Sequence, residues 1–461
     1  MAADAAGSPA LFVLSRARAS ALTGGSWLGA ADSVAVRGAS LDSRSVQPGN
    51  LFACFVGARA DGHDYAPEAV AKGAALVLAS RPLTLPVPVL VVDDVAQALA
   101  RLAAAFRAEH DDCCWLAVAG ANGKTTTTRL LAAALRGGGA RVHATDGNRN
   151  NHLGVPLCVL ALPADATHAV IEIGTNHPGE LAPLAGLVRP RIAVVASLGP
   201  EHLAGFGDLA GVAREECSAF ASLPPDGLAL LGVHGLDEEC AAHGEDPQRL
   251  LAIARAAAGS RRLLLSGEAP PELAVRLLGA HQRANAWLAL QAALAAGAEE
   301  GGARRALAEV EAAPGRLRPL RIGAHLLIDD CYNANPASMC AGLRVLAEQG
   351  GRRLAILGHM GELGAASAAG HARVGRCAAA LGCALLAVGE AARPILEAFR
   401  AAGGQEGQAA QDHEQAARLA LAWLAAAPGC VLVKGSRSAR LELVLERLCA
   451  GLGAPWPGGL H

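Results

Sequence analysis

Trp115-Leu116-Ala117-Val118-Ala119-Gly120-Ala121-Asn122-Gly123-Lys124-Thr125-Thr126-Thr127-Thr128 is the stretch around which the chain is organised. The apolar residues before Gly120 predict a short buried strand, Gly120 to Gly123 a tight turn, and the Lys-Thr run the start of an Ala/Leu-rich helix ending near Leu135. In that order the turn and helix start aim free backbone N–H groups at an anion. Gly120, Ala121, Asn122 and Gly123 would cradle phosphate oxygens, with Thr126 at the helix start. Lys124 would reach the terminal phosphates, and the Thr125 hydroxyl would ligate magnesium. The general pattern G-x-x-x-x-G-K-[ST] is broken at its first position, where Val118 stands. The bland reading is an ordinary glycine turn; the Lys-Thr pair favours binding of ATP or GTP.

Working outward, 461 residues exceed one compact domain and predict two to four. A balance of 40 Lys+Arg against 42 Asp+Glu offers no overall basic field, so no nucleic-acid partner is expected. No uncharged apolar run reaches the roughly 18–20 residues of a membrane helix, and Pro428-Gly429 breaks the nearest one, Leu419 to Val433. No membrane insertion is expected. The start of the chain, with Asp4, lacks a basic segment followed by an apolar one and does not read as a signal peptide. Twelve cysteines are scattered without a C-x-x-C pair, which predicts reduced thiols and a cytoplasmic protein.

The pattern divides into three units. Residues 1–112 carry Leu41-Asp42-Ser43-Arg44-Ser45, strands at Leu51 to Val56, Ala75 to Leu78 and Val89 to Val92, a polar loop from Gly57 to Tyr65, and helices at Ala66 to Lys72 and Val95 to about Glu109. Residues 113–313 follow the nucleotide turn with strands near 140–143, 169–173 and 192–196, an alternation that predicts a parallel sheet with helices on both faces. Glu299-Glu300-Gly301-Gly302 reads as a polar break between two Ala-rich helices. In residues 314–461 the alternation restarts, with strands near 326–328, 354–357, 385–388 and 431–433. The expected fold class is α/β in three domains: a smaller first unit, a central P-loop parallel-sheet ATPase domain, and a Rossmann-like C-terminal domain.

Glu172 interrupts the apolar strand Ala169-Val170-Ile171-Glu172-Ile173. A buried carboxylate is costly unless paired, so a metal-linked acid is favoured over a solvated edge position. His202, after the next strand, would emerge at the same sheet edge; on chemistry alone a structural histidine is favoured, since magnesium prefers oxygen. Gly147-Asn148-Arg149-Asn150-Asn151-His152-Leu153-Gly154-Val155-Pro156 fits a self-capped loop and a polar substrate site equally well.

These motifs together resemble the Mur ligase family. The run Ala119 to Thr126 is similar to its P-loop, and Gly147 to Pro156 to its G-N-x-N-N-x-x-G-V-P segment. Further matches are Glu172 to Glu180, His202 to Gly207, Gly279 to Ala286, Pro314 to Leu317, Asp329 to Pro336, Gly361 to Gly364, Val433 to Ser438, Asp42-Ser43-Arg44 and Asp61 to Tyr65. The resemblance runs from about residue 40 to the end, in family order. It implies ATP-dependent addition of D-alanyl-D-alanine to UDP-N-acetylmuramoyl-tripeptide through an acyl phosphate, with ATP and two Mg2+ ions as cofactors, on a monomer making peptidoglycan precursors. By the same resemblance Lys124 and Thr125 hold phosphates and magnesium, and Glu172 and His202 hold metal. Asn285 approaches the adenine, and Arg316 and Asp330 the ribose. Ser43, Arg44, Asn148, Asn151, Asn333, Asn335, Lys434, Ser436 and Arg437 contact the two other substrates.

Three positions depart from the family. Glu216 stands where it usually has a carbamylated lysine, and is expected to serve a second metal directly or through water; the alternative is a solvated helical glutamate. His359 replaces the Asp of its Gly-Asp-Met segment, and the stretch between Leu231 and Leu278 lacks its Asn-x-Asp segment. Competing readings are a diaminopimelate- or lysine-adding member, whose Asp-Asn-Pro-Arg segment is missing after Pro314, a folate polyglutamate ligase, and a nucleotide-binding paralogue without turnover.

Overall fold

The computed structural model describes residues 7–57 and 60–458. Asp4, the outer ends of the first and third units, and part of the expected polar loop lie outside them.

The central sheet has six parallel strands in the order Arg262–Ser266, Leu228–Gly232, Ile192–Val195, Cys114–Ala119, His168–Glu172 and Val142–Ala144. Cys114–Ala119 is central and its apolar residues are buried on both faces, as parallel sheets require. Glu172 pairs in register with Val118, and Val195 with Ala119, so Glu172, the phosphate turn and the segment after Val195 leave the sheet at one edge. The carboxyl edge of an open parallel sheet is where ligands bind. Two strands, Leu228–Gly232 and Arg262–Ser266, were not expected from the sequence.

The helix Lys124–Gly137 packs between helices Ala280–Ala295 and Glu300–Glu309. The expected polar break at Glu299 to Gly302 is corrected here. Glu299 is the N-cap, accepting from the N–H groups of Gly301 and Gly302 at 2.6 Å each, and both glycines lie inside the helix. Packing explains it: a Cβ on Gly302 would stand 2.1 Å from the carbonyl oxygen of Gly137.

The first unit has a five-stranded sheet in the order Ser26–Leu28, Val89–Val91, Leu76–Ala79, Leu51–Ala53 and Ala39–Ser40, beside an antiparallel ribbon of Leu11–Ser15 and Ser33–Arg37. The strand expected over Leu51 to Val56 stops at Ala53, and the expected loop contains a short 3-10 helix, Gly62–Tyr65, capped by Asp61. Helix Val95–Ala108 packs on helices Gly154–Leu160 and Leu181–Val188 of the central unit. One apolar cluster runs through this seam, from Phe12, Trp27 and Phe106 to Trp115, Val159 and Leu184. Arg107, buried there, donates to the carbonyls of Val188 at 2.8 Å and Arg189 at 3.0 Å.

The third unit is a six-stranded sheet, Arg318–Ile322, His325–Asp330, Gly429–Lys434, Arg352–Leu357, Ala384–Val388 and Gly407–Ala410, with apolar clusters on both faces. The first strand is antiparallel and the rest parallel. Both edge strands were unexpected: Arg318–Ile322 carries Pro319, tolerated at an edge, and Gly407–Ala410 is short and largely exposed. All twelve cysteines are free, and no described helix is long and apolar enough to cross a membrane.

Candidate active site

Between the second and third units lies a cleft of about 1620 Å³, more than a single small ligand needs. The phosphate turn is its floor. Gly120 has φ +123°, and a Cβ there would stand 2.7 Å from the Ala196 nitrogen; Gly123 has φ +82°, with the Asn285 amide 2.9 Å from where its Cβ would be. Only glycine fits either place. Asn122 is fixed by Ser197, whose hydroxyl accepts the Asn122 N–H at 3.0 Å and donates to its carbonyl at 3.1 Å. Ala121 and Thr126 also line the cleft.

Lys124 folds back on the turn, donating to the Gly120 carbonyl at 2.6 Å and pairing with Glu201 at 3.0 Å. Burial works against its charge, yet the carboxylates of Glu201, Glu216 and Glu172 outweigh it and hold Lys124 above the usual lysine value. Glu216 is 1% exposed, which rules out the solvated alternative. Its Oε2 accepts the Gly120 N–H at 2.6 Å, while Oε1 has no partner. Burial pushes Glu216 up to about 7, against the pull of Lys124.

Glu172, 2% exposed, accepts from the Thr125 hydroxyl at 3.3 Å and from the Asn150 amide at 2.7 Å. Two oxygen donors facing each other, with the unpartnered oxygen of Glu216 on a carboxylate bonded to the phosphate turn, are the donor chemistry a hard divalent cation takes. His202 is placed differently: its Nδ1 lies 3.1 Å from Glu362 of the third unit and its Nε2 3.7 Å from Glu201. Among the described residues no three His, Cys, Asp or Glu side chains gather as a metal cluster: Glu172 and His202 line the cleft with separate partners, and Glu216 is buried against Gly120. His202 and Glu362 both hold left-handed backbone, at φ 45° and 62°. Strain of that kind concentrates where units meet a ligand.

The third unit reaches the turn at two more points. Arg316 donates to the Thr125 hydroxyl at 3.2 Å, its guanidinium stacked 4.1 Å over the Tyr332 ring. Asn335 donates to the Asn122 side chain at 2.8 Å. Two aspartates deliver Arg316: Asp329 accepts the Gly315 N–H at 2.7 Å and Asp330 that of Leu317 at 3.2 Å. Asp330 also pairs with the buried Lys434 at 2.7 Å, and Lys434 donates to the Asn333 carbonyl at 3.0 Å. Asn333 caps its own loop at Ala334, Ser436 is buried, and Arg437 pairs with Glu442 at 2.8 Å. A separate ion-pair group ties helix Leu236–His243 to the third unit: Glu239 binds Arg373 through both oxygens at 2.7 and 2.8 Å, and Glu238 meets Arg344.

Asn148 and Asn151 line the same cleft, Asn151 also capping helix Gly154–Leu160 through the Gly154 N–H at 2.9 Å. Ser43 and Arg44 do not line it. Ser43 donates to Glu68 at 2.9 Å and Arg44 chelates Asp42 within the first unit. Sequence reasoning missed Asn150, Glu201 and Glu362. The signal for each was adjacency, since Asn150 sits in the Asn-rich loop, Glu201 precedes His202, and Glu362 lies in Gly361 to Gly364.

Three family models match the chain in order: "Mur ligase family, catalytic domain" over residues 35–107, "Mur ligase middle domain" over 118–293, and "Mur ligase, glutamate ligase domain" over 315–437. UDP-N-acetylmuramoyl-tripeptide–D-alanyl-D-alanine ligase of Escherichia coli (strain K12) is 36% identical, over 88% of this chain and 92% of that protein. The protein so named from Mycobacterium tuberculosis (strain CDC 1551 / Oshkosh) is 34% identical, over 89% and 91%. A crystal structure of MurF from Acinetobacter baumannii superposes with a TM-score of 0.83 at 29% identity, covering 95% of this chain and 99% of that one.

Proposed function

The chain belongs to the Mur ligase family, and from that premise we propose that it joins D-alanyl-D-alanine to UDP-N-acetylmuramoyl-tripeptide with ATP, in peptidoglycan precursor synthesis. The observation that carries this is the meeting of Lys124, Thr125 and Asn122 with Arg316 and Asn335 in one cleft wide enough for a nucleotide and a second substrate.

The tripeptide carboxylate attacks the γ-phosphorus of ATP, ADP leaves, and an acyl phosphate forms; the dipeptide amine then displaces phosphate and makes the amide. The first step brings an anion against a polyanion, so cationic screening and placement supply the catalysis. Lys124, held charged, provides the first positive centre once released from Glu201 to the phosphates. Thr125, Glu172 and Glu216 would hold magnesium, two ions in all, with His202 beside them; bound there, magnesium would supply charge neutralisation for the phosphoryl transfer. Asn285, lining the cleft beside Gly123, serves the adenine end, while Arg316 and Asp330 bring the third unit to the ribose side. Asn148, Asn151, Asn333, Asn335, Lys434, Ser436 and Arg437 line the peptide half. Ser43 and Arg44, remote from the cleft, receive the uridine end of the long acceptor. Closure of the third unit excludes water from the acyl phosphate. The boundaries 1–112, 113–313 and 314–461 divide these tasks. Twelve free thiols suit the reducing cytoplasm, and a cleft completed within one chain suits a monomer.

Phosphate release measured with the UDP-muramoyl tripeptide, ATP and magnesium tests the reading. Release that depends on added D-alanyl-D-alanine is expected. Tight ATP binding with no release would replace it with a binding protein, and release on free diaminopimelate or lysine with a dipeptide acceptor would replace it with the other adding branch.

A further inference from the structure

His359 and Ser438, unused by the scheme above, join Ser436 of the peptide half in a run of proton-carrying groups on the cleft wall. His359 Nε2 lies 2.9 Å from Ser438 Oγ, which lies 3.1 Å from Ser436 Oγ. Both serines line the cleft, Ser436 being buried and His359 half-buried behind them. The backbone fixes the group: Ser436 N–H donates to the His359 carbonyl at 3.0 Å, and Gly358 N–H to the Lys434 carbonyl at 2.9 Å. A Cβ on Gly358 would stand 2.9 Å from the Ala439 methyl, so the two loops approach as closely as glycine allows. This wall faces the phosphate turn. Glu362, on the loop that follows His359, meets His202 at 3.1 Å, and the neighbouring Glu201 holds Lys124 at 3.0 Å.

The second half of the ligation needs a proton acceptor. An α-ammonium group, with a pKa of about 8, has no lone pair to attack with until it loses a proton. We propose that His359, acting through the hydroxyls of Ser438 and Ser436, accepts that proton from the incoming dipeptide; the proposal rests on the ligase reading. Ser436 Oγ takes a proton from the ammonium as its own moves to Ser438, and the Ser438 proton moves to His359 Nε2. The freed nitrogen lone pair forms the C–N bond, the acyl C–O bond breaks, and phosphate leaves with that electron pair and the second amine proton. One acyl phosphate and one ammonium thus give one amide, one hydrogen phosphate and one proton, which His359 holds until product leaves.

The surroundings suit this use. Burial, and then the neighbouring His371, hold His359 below the usual histidine value, so it is neutral and able to accept near pH 7. His371 is itself engaged, its Nε2 accepting the Met360 N–H at 3.0 Å and its Nδ1 lying 2.7 Å from the Ser367 carbonyl. Of the charged groups on facing elements, Arg437 is paired with Glu442, Glu362 with His202 and Lys434 with Asp330, and Arg440 lines the same wall. The two serines line the cleft and His359 does not, so it acts on the substrate only through them.

The test compares the wild-type enzyme with His359→Gln, His359→Asp and Ser438→Ala in two assays. Acyl-phosphate formation is read without the dipeptide, as positional isotope exchange in ATP driven by the tripeptide. Amide formation is read with the dipeptide across pH 6–9.5. For His359→Gln and Ser438→Ala we expect exchange within about twofold of wild type but amide formation lower by roughly 10²- to 10³-fold and rising with pH toward the ammonium's own pKa. His359→Asp, which keeps a base, recovers part of the rate. Wild-type amide rates with an unchanged pH profile, or exchange and amide formation falling together, would overturn the relay. Wild-type enzyme that exchanges isotope yet makes no amide with this dipeptide would instead overturn the substrate reading.

Discussion

Glu216 Oε2 accepts the N–H of Gly120 at 2.6 Å, joining helix Leu209–Cys217 to the first residue of the phosphate turn. One carboxylate oxygen therefore shapes the turn while the other, buried and without a partner, remains for a ligand. Glu216→Gln keeps the acceptor but not the charge. Its apparent magnesium affinity, read from phosphate release against magnesium concentration, should weaken about tenfold, on the order of 1.4 kcal/mol. An unchanged magnesium curve would leave Glu216 a turn-shaping residue alone.

Lys124 neutralises part of a carboxylate group as well as facing the cleft. Lys124→Ala should lower single-turnover phosphoryl transfer by roughly 10³-fold, about 4 kcal/mol. It also leaves Glu201 and Glu216 without their cation, so thermal unfolding without ligand should shift to lower temperature at pH 8 and much less at pH 5, where Glu216 is protonated in either case. Equal shifts at both pH values would place the loss outside this cluster.

The bidentate pair Glu239–Arg373 spans the second and third units, and its hydrogen bonds hold Arg373 above the usual arginine value. Arg373→Glu sets two anions against each other and should raise the KM for ATP several-fold. Adding Glu239→Arg should restore it, with a coupling on the order of 1–3 kcal/mol. A cycle with no coupling would show that the pair does not hold the units together.

Burial, with His234, Lys434 and Arg344 around it, pushes His281 down to about 4. The unfolded chain, with histidine near 6.5, binds more protons than the native one between those values, so the native state loses stability as pH falls from about 6.5 to 4. Above 6.5 the effect is constant. His281→Asn should flatten the dependence of denaturant midpoint on pH in that window, by at most about 3 kcal/mol. Parallel wild-type and variant curves would refute it.

What the sequence made legible was local. The phosphate turn is contiguous, and its glycines, Lys124 and Thr125 are each required by geometry within a few residues, so strand, turn and helix were readable in order. The three-unit α/β plan followed from apolar runs in alternation. Partners set by distant chain were not readable: Glu201 on Lys124 and Asn150 on Glu172 depend on how separate loops leave one sheet edge. The missed strands fail the periodicity test for physical reasons, Arg318–Ile322 being an edge strand with alternating exposure and Gly407–Ala410 being only half-covered. Gly301-Gly302 misled because the residues that loosen a loop also let two helices touch.

The two seams of the molecule are made of different material. The one crossed by Phe12, Phe106 and Trp115 is greasy and grows firmer as salt is added, whereas the one held by Glu239–Arg373, Glu362–His202 and Asn335–Asn122 is wet and loosens under the same treatment. Mechanically the chain is therefore two bodies rather than three, a fused pair carrying a single swinging partner, and added salt pushes its two joints in opposite directions.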